Sequence, residues 1–478
     1  QALTRGAGAV LVQKGVRLKG AAPDRTATTL VWVKDTLKAL GDLAGYHRLR
    51  FNIPVIAVTG SNGKTTTKDM IYHILSSDKV VLRNKGTENN NIGLPLTLLK
   101  LRPRHKAAVV ELGTNHPGEI AQLNEIARPT IGVITNIGPA HLEFLKTIQG
   151  VAREKLSLLP YLKNGQVVLN GDDIEFNSKT RKFCINGKTI NSQLPQALKL
   201  FFYSSVRQTV CAAPARVNSA VRQSICAVPA RVRSIRKDEQ RCLPRSVRCP
   251  RVRHCQVADC GIEKVSTDLN SSRFSLKIKK SFPGKRAGQY NLNLKTVGYH
   301  NILNAAAAFS VGLILGLKPE KILKRLSKFQ QAGMRLCPRK IKGLLIIDDT
   351  YNANPASLEA GLRWLSGLKV KRGRKIVVCA DMLELGTKAG WYHKETGKLI
   401  QTLNIDHLIC YGQQAGLIAE AALKAGMDKN KLKSYLRPWA VVNYLKIIVK
   451  PGDVLFFKGS RSMQMERLKE CFITCYIP

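Results

Sequence analysis

Apolar positions recur along this chain with two periods, one of strands and one of helices. Val55-Ile56-Ala57-Val58 is a short run with the length and β-branched content of a buried strand. It breaks at Thr59-Gly60, and Met70, Ile71, Ile74 and Leu75 then return at helical spacing. Further strand candidates lie at 80–82, 107–112, 131–135 and 167–169 with helical stretches between them, which predicts an α/β domain with a parallel sheet covered on both faces. After residue 273 the alternation resumes. A strand at 274–278 and a helix at 302–315 are followed by strand cores at 344–347, 377–378, 408–410 and 453–457, the pattern of a second, Rossmann-like doubly wound domain. Residues 471–478 show no period. Before residue 51 the pattern yields only short β-rich runs at 8–12 and 29–33 and a helix at 36–47, too little for an independent domain.

The loop between the Val55 strand and the Met70 helix reads Thr59-Gly60-Ser61-Asn62-Gly63-Lys64-Thr65-Thr66. Strand, glycine loop and helix in that order make a phosphate cradle. Glycines let backbone N–H groups turn inward, Lys64 can reach the outer phosphates of a nucleoside triphosphate, and Thr65 can ligate Mg2+. Val58 stands where the common form of this loop has its first glycine. A chance Gly-Lys-Thr in a surface turn would lack the flanking strand and helix.

With 478 residues and 44% hydrophobic content the chain has material for two or three domains. No apolar run reaches membrane-spanning length. The chain opens Gln1-Ala2-Leu3 without Met or a secretory pattern, so a longer protein and a cytoplasmic location are expected. The excess of 77 basic over 32 acidic residues, a net charge of +45, would suit nucleic acid or an anionic surface, but the lysines are scattered through every segment. The 12 cysteines contain no Cys-x-x-Cys pair.

Residues 178 to about 258 differ in kind. Residues 205–217 recur as 220–232, a tandem repeat, and residues 204–256 hold 12 basic and two acidic residues and no aromatic. Without stacking platforms only non-specific phosphate contact would be available to RNA, so a low-complexity insertion without a chemical role is expected. Cys242, Cys249, His254, Cys255 and Cys260 are spaced unlike any standard zinc site.

Glu111 and His141 are placed where the third and fourth strand candidates of the first domain, 107–112 and 131–135, would meet loops, on the side of the sheet that holds Lys64, and both could hold Mg2+ against a phosphate. Asp348-Asp349-Thr350-Tyr351-Asn352-Ala353-Asn354-Pro355 delivers carboxylates and amides from a buried strand into a loop, which is costly unless they contact something polar. Lys155 is unremarkable by pattern alone.

These residues carry a resemblance. Thr59 to Lys68, Val110-Glu-Leu-Gly-Thr-Asn-His-Pro-Gly-Glu-Ile120, Thr135-Asn-Ile-Gly-Pro-Ala-His141, Asp348 to Pro355, Asp381-Met-Leu-Glu-Leu-Gly386 and Lys458-Gly-Ser-Arg461 are similar to the motifs of the Mur ligase family, over about residues 1–175 and 260–467. The resemblance implies three domains. These are a remnant of an N-terminal UDP-substrate-binding α/β domain in residues 1–50, an ATP-binding central domain in 51–325 that holds the insertion, and a ligase domain in 326–478.

It also implies an ATP- and Mg2+-dependent enzyme that joins D-alanyl-D-alanine to a UDP-muramoyl tripeptide through an acyl phosphate, as a monomer without a specific nucleic-acid partner or a membrane span. Thr59, Gly60, Ser61, Asn62, Gly63, Lys64, Thr65 and Thr66 would hold the phosphates. Thr65, Glu111 and His141 would surround Mg2+, with Lys64 and His141 also serving the chemistry. Lys155, in Val151-Ala-Arg-Glu-Lys155, matches a lysine that the family carbamylates. Asn301 would contact adenine, and Arg335 and Asp349 would close over the nucleotide. Tyr351, Asn352 and Asn354 would shape the dipeptide pocket. Leu156-Ser157 and Ala380 depart from the family pattern, which usually has Gly-Glu and Gly there. A folylpolyglutamate or cyanophycin synthetase-like ligase, and an inactive remnant, are the alternatives. The Asp348–Pro355 loop speaks against the first, and the presence of every expected catalytic side chain against the second.

Overall fold

The computed structural model describes residues 7–16, 29–86, 88–162, 164–178, 180–205, 259–279, 282, 287–331, 333–370 and 373–476. The repeats, apart from Ser205, and Cys242, Cys249, His254 and Cys255 of the zinc question lie outside the described residues.

Strands β1 (Ala9–Gln13) and β2 (Thr29–Val33) form a parallel pair, and the helix Thr36–Leu49 leads from it to the central domain. Asp35 caps that helix through Oδ1, which accepts from the N–H groups of Leu37 and Lys38.

The central domain is organised by β3 (Val55–Thr59), whose five residues are all buried. It is joined by β4 (Val80–Arg83), β5 (His105–Glu111), β6 (Ile131–Ile134) and β7 (Gln166–Asn170). Three short strands follow, β8 (Glu175–Asn177), β9 (Lys182–Ile185) and β10 (Lys188–Ile190), which make an antiparallel sheet of their own. Then β11 (Lys199–Ser205), β12 (Cys260–Thr267), β13 (Ser272–Ile278) and β14 (Gly288–Leu294) extend the main sheet to nine strands in the order β14-β13-β12-β11-β7-β6-β3-β5-β4. From β11 to β4 neighbours run parallel, and β12, β13 and β14 pair antiparallel. Burial of both faces explains the unbroken apolar runs. Val55 and Ala57 face one core with Leu94, Ile120 and Val151, while Ile56 and Val58 face the other with Met70, Ile71 and Ile302.

Two expectations are corrected here. The segment that differs in kind does not begin at 178. Residues 180–205 supply β9, β10 and β11, and Phe201, Phe202 and Tyr203 are buried in the core. Asn186-Gly187, both at positive φ, closes the β9–β10 hairpin and is a turn pair that favours such hairpins. The C-terminal tail is also not patternless. Met465–Tyr476 is a helix that buries Leu468 and Phe472, one turn apart, against the second domain.

That domain holds β15 (Cys337–Ile341), β16 (Leu344–Asp348), β17 (Lys375–Ala380), β18 (His407–Tyr411), β19 (Leu432–Tyr435) and β20 (Val454–Lys458), ordered β15-β16-β20-β17-β18-β19. All neighbours are parallel except the edge pair β15–β16. The Lys469 ammonium, 2.5 Å from Asp348 Oδ2, ties the last helix to the end of β16, and both side chains are buried.

Candidate active site

The carboxyl ends of β3, β5 and β6 meet as expected at one edge of the central sheet. The loop after β3 is shaped by two glycines. Gly60 has φ 144° and Gly63 has φ 77°, and a Cβ on either would collide with a side-chain oxygen, of Thr135 and Asn304 respectively. Gly63 caps the helix Lys64–Leu75, so the free N–H groups of its first turn open onto the loop. The loop is braced from the β6 side: Asn62 N–H donates to Asn136 Oδ1 at 2.8 Å, and Ser61 Oγ exchanges hydrogen bonds with the backbone of Gly138 at 3.0 Å.

Lys64 folds back over this loop, with Nζ 3.0 Å from the Gly60 carbonyl. Burial, helped by Arg335, holds its ammonium below the usual lysine range, and Glu111 and Glu384 oppose that shift. Thr65 Oγ1 donates to Glu111 Oε2 at 2.8 Å, while Asn89 Nδ2 donates to Glu111 Oε1 at 2.8 Å. Asn84 receives and supports the same residue, taking the Glu111 N–H at its Oδ1 and donating Nδ2 to the Glu111 carbonyl.

Lys155 lies on the helix Ile148–Leu156, wholly buried, and its Nζ has no hydrogen-bond partner. Burial, with the Lys64 charge nearby, pushes this amine well below its usual range. The adjacent Glu154 is spent on structure: it accepts the N–H groups of Gly118 at 2.7 Å and Ile120 at 2.8 Å, at the start of the helix Glu119–Ala127.

His141 is engaged across the domains. Its Nδ1 lies 2.6 Å from Glu384 Oε2 of the second domain, and that contact holds the Glu384 carboxyl below its usual range. Both residues have left-handed backbones, φ 52° at His141 and φ 63° at Glu384, a strain that persists only where surroundings enforce it. Among the described residues no group of three His, Cys, Asp or Glu side chains gathers as a metal cage. Thr65 and Glu111 still offer oxygen donors of the kind Mg2+ takes, and the unpaired Lys155 amine is the buried group that lacks a partner beside them.

The second domain supplies the opposite wall. Asp349 Oδ2 accepts from Lys458 Nζ at 2.7 Å and its Oδ1 from the Leu336 N–H at 3.1 Å, yet burial still raises its carboxyl above the usual range. Arg335 lies over the Tyr351 ring at 3.8 Å. Lys458 also donates to the Asn352 carbonyl at 3.0 Å, and Asn352 Oδ1 accepts the Arg461 N–H at 3.1 Å. Asn354 caps the helix Pro355–Gly367 and pairs with Asn62 of the phosphate loop. Burial beside Lys458 pushes His300 down to about 4. Asn301 is wholly buried, and its Nδ2 donates to the Val297 carbonyl at 2.8 Å and to Gln331 Oε1 at 2.9 Å; Gln331 reaches Thr66 at 3.5 Å. Asn301 thus stands at the joint between the helix Tyr299–Ile314 and the second domain.

Sequence reasoning gave no role to Asn84, Asn89, Glu384 or Lys458. The last two lie in motifs that it singled out, but contacts between residues hundreds of positions apart leave no local signal.

The fold and site define a ligase architecture of two α/β domains, with a strand–glycine loop–helix phosphate cradle in the first, and comparison agrees. Residues 58–209 match the Mur ligase middle domain and residues 334–461 match the Mur ligase glutamate ligase domain. A Bacillus subtilis (strain 168) UDP-N-acetylmuramoyl-tripeptide--D-alanyl-D-alanine ligase is 32% identical over 471 residues, covering 98% of this chain and 85% of that one. The ligase of the same name from Escherichia coli (strain K12) is 28% identical, over 98% and 86%. Crystal structure I of MurF from Acinetobacter baumannii superposes with TM-score 0.73 at 28% identity, covering 98% of this chain and 90% of that one. This chain belongs to the Mur ligase family.

Proposed function

We propose that the chain is the ligase of its curated relatives, joining D-alanyl-D-alanine to UDP-N-acetylmuramoyl tripeptide at the expense of ATP, in the cytoplasm. The division into residues 1–50, 51–325 and 326–478 belongs to the same reading, with the first part serving the uridine nucleotide. The observation that carries it is the convergence of Lys64, Thr65–Glu111 and the buried, partnerless Lys155 on one side of a cleft whose other side is Arg335, Asp349, Tyr351 and Asn352 of the second domain.

In this reading the Gly60–Thr66 backbone and Lys64 hold the ATP phosphates, and Lys64 offsets charge as the tripeptide carboxylate attacks the γ-phosphorus and ADP leaves. Arg335 and Asp349 close over the nucleotide, with Asn301 fixing the joint on which closure depends. The dipeptide amine, held near Tyr351, Asn352 and Asn354, then attacks the acyl carbon, and phosphate leaves the tetrahedral adduct. Walls from both domains keep water from the acyl phosphate. Mg2+, held by Thr65, Glu111 and the carboxylate that carbamylation would place on Lys155, with His141 as a further donor once parted from Glu384, would supply Lewis-acid stabilisation of the phosphates.

The test is phosphate release by the purified chain with ATP, Mg2+, UDP-muramoyl tripeptide and D-alanyl-D-alanine, each omitted in turn. Release should require all four and fall by about 10²–10³-fold in Lys64→Ala. Release that is indifferent to the dipeptide, or supported by glutamate in its place, would reject the assignment.

A further inference from the structure

The edge of the second domain farthest from the cleft carries a surface that ligase chemistry does not use. β19 is the last strand of the six-stranded sheet, and the helix Pro438–Ile448 follows it. One face of that helix buries Val441, Val442 and Leu445 in the core. The other presents Trp439 and Ile447, two turns apart, with Leu436 just before the helix start.

These three are 64%, 78% and 72% exposed; among the large apolar side chains of the described residues only Tyr46, at 70%, is as exposed as any of them, with Trp391 next at 58%. A lone exposed leucine is ordinary, but three such side chains on one short element are not. Their sequence neighbours are of one sign, with Asp453 beyond them taken up by Arg374 and the Lys450 N–H. From Lys429 to Gly452 the chain has six cationic side chains, including Arg437, Lys446 and Lys450, and no acidic one.

An exposed tryptophan with two aliphatic side chains, ringed by lysine and arginine, is the composition of a surface that lies in the interface of an anionic bilayer. A protein partner with an acidic rim would match the charge as well, and it predicts the opposite result in the vesicle test below. We propose that this face docks the enzyme reversibly on anionic lipid, with Leu436, Trp439 and Ile447 entering the headgroup layer and Arg437, Lys446 and Lys450 pairing with lipid phosphates. β16 and β20, which carry Asp349 and Lys458 at their ends, lie on the other side of β17 and β18, so docking leaves the cleft open.

The test uses the whole chain with phosphatidylglycerol–phosphatidylcholine vesicles and with phosphatidylcholine vesicles, comparing the native protein with Trp439→Ser/Ile447→Ser. That pair keeps every charge, so attraction through the other cations of the chain is common to both proteins. The native chain should co-sediment with the anionic vesicles alone, with a blue shift in tryptophan emission. The variant should bind about tenfold more weakly and lose the shift. Equal partition of the two proteins would show that charge alone binds and would overturn the proposal. So would failure of the native chain to bind anionic vesicles, the result expected of a face made for a protein.

Discussion

Asn62 and Asn354 hold each other by both ends of their amides. Asn354 Nδ2 donates to Asn62 Oδ1 at 2.7 Å, and Asn62 Nδ2 returns a bond to Asn354 Oδ1 at 3.3 Å. One residue lies in the glycine loop of the central domain and the other caps the helix Pro355–Gly367 of the second domain, so the pair sets the distance between the two domains. Asn354 Oδ1 also accepts the Ser357 N–H at 2.9 Å, so Asn354→Ala should cost about 1 kcal/mol for the cap alone. Urea melts of Asn62→Ala, Asn354→Ala and the double variant should show a coupling of about 0.5–1.5 kcal/mol, the share of the reciprocal pair. Strict additivity would show that the two domains do not depend on it.

Lys155 makes an opposite pair of predictions for stability and activity. Its buried amine has no partner, so Lys155→Met should stabilise the ligand-free chain by about 1–3 kcal/mol in denaturant melts, while turnover falls by about 10–100-fold. The sign with pH follows from the lowered pKa. Between the lowered pKa of the folded chain and 10.5 the unfolded chain holds more proton on this amine than the folded chain does, so the group's penalty eases and stability rises as pH increases through that window. The native protein should therefore gain more between pH 7 and pH 9 than Lys155→Met does. Equal gains would show that the amine is charged in the folded state.

Asp348 and Lys469 are buried together 2.5 Å apart. Lys469→Met strands the carboxylate and should cost about 3–5 kcal/mol, whereas Asp348→Asn/Lys469→Met removes both charges and should recover most of that loss. Urea melts of the two variants decide it; a small effect of the single change would mean that water reaches Asp348.

The stretch 206–258 should be replaceable but not simply removable. β11 and β12 are parallel, Tyr203 opposite Cys260, and the Asp259 N–H donates to the Phe202 carbonyl at 2.8 Å. A parallel pair cannot be closed by a tight turn, and such strands need a connection of roughly a dozen residues or more. A Gly/Ser linker of about 15 residues in place of 206–258 should preserve folding and phosphate release. Direct fusion of Ser205 to Asp259 should abolish both, read by circular dichroism and by the release assay.

What could be read from the sequence was what is local. Val55 to Leu75 states strand, glycine loop and helix within one short window, and Gly60 and Gly63 have the positive φ that the loop needs. Glu111 was placed by its position at the end of an apolar run, and Thr65 meets it. His141 was sent to the same metal, and its contact with Glu384 was hidden because the partners are 243 residues apart and both sit in left-handed turns with no sequence signature. The helix at the C-terminus was missed because residues 471–478, taken alone, exclude Leu468, whose spacing to Phe472 reveals it. The strands of 180–205 were overshadowed by the repeats beyond them, although Asn186-Gly187 marks a hairpin.

The central claim is an acyl phosphate formed between tripeptide and ATP, and the oxygen it transfers can be followed. UDP-muramoyl tripeptide labelled with 18O in its terminal carboxylate should be turned over with ATP, Mg2+ and D-alanyl-D-alanine, and the released phosphate examined by mass spectrometry. Each phosphate should carry one labelled oxygen, the other staying in the new amide. Phosphate without label, released while ATP is consumed, would mean that water attacks the nucleotide and that the chain hydrolyses ATP without joining the two substrates.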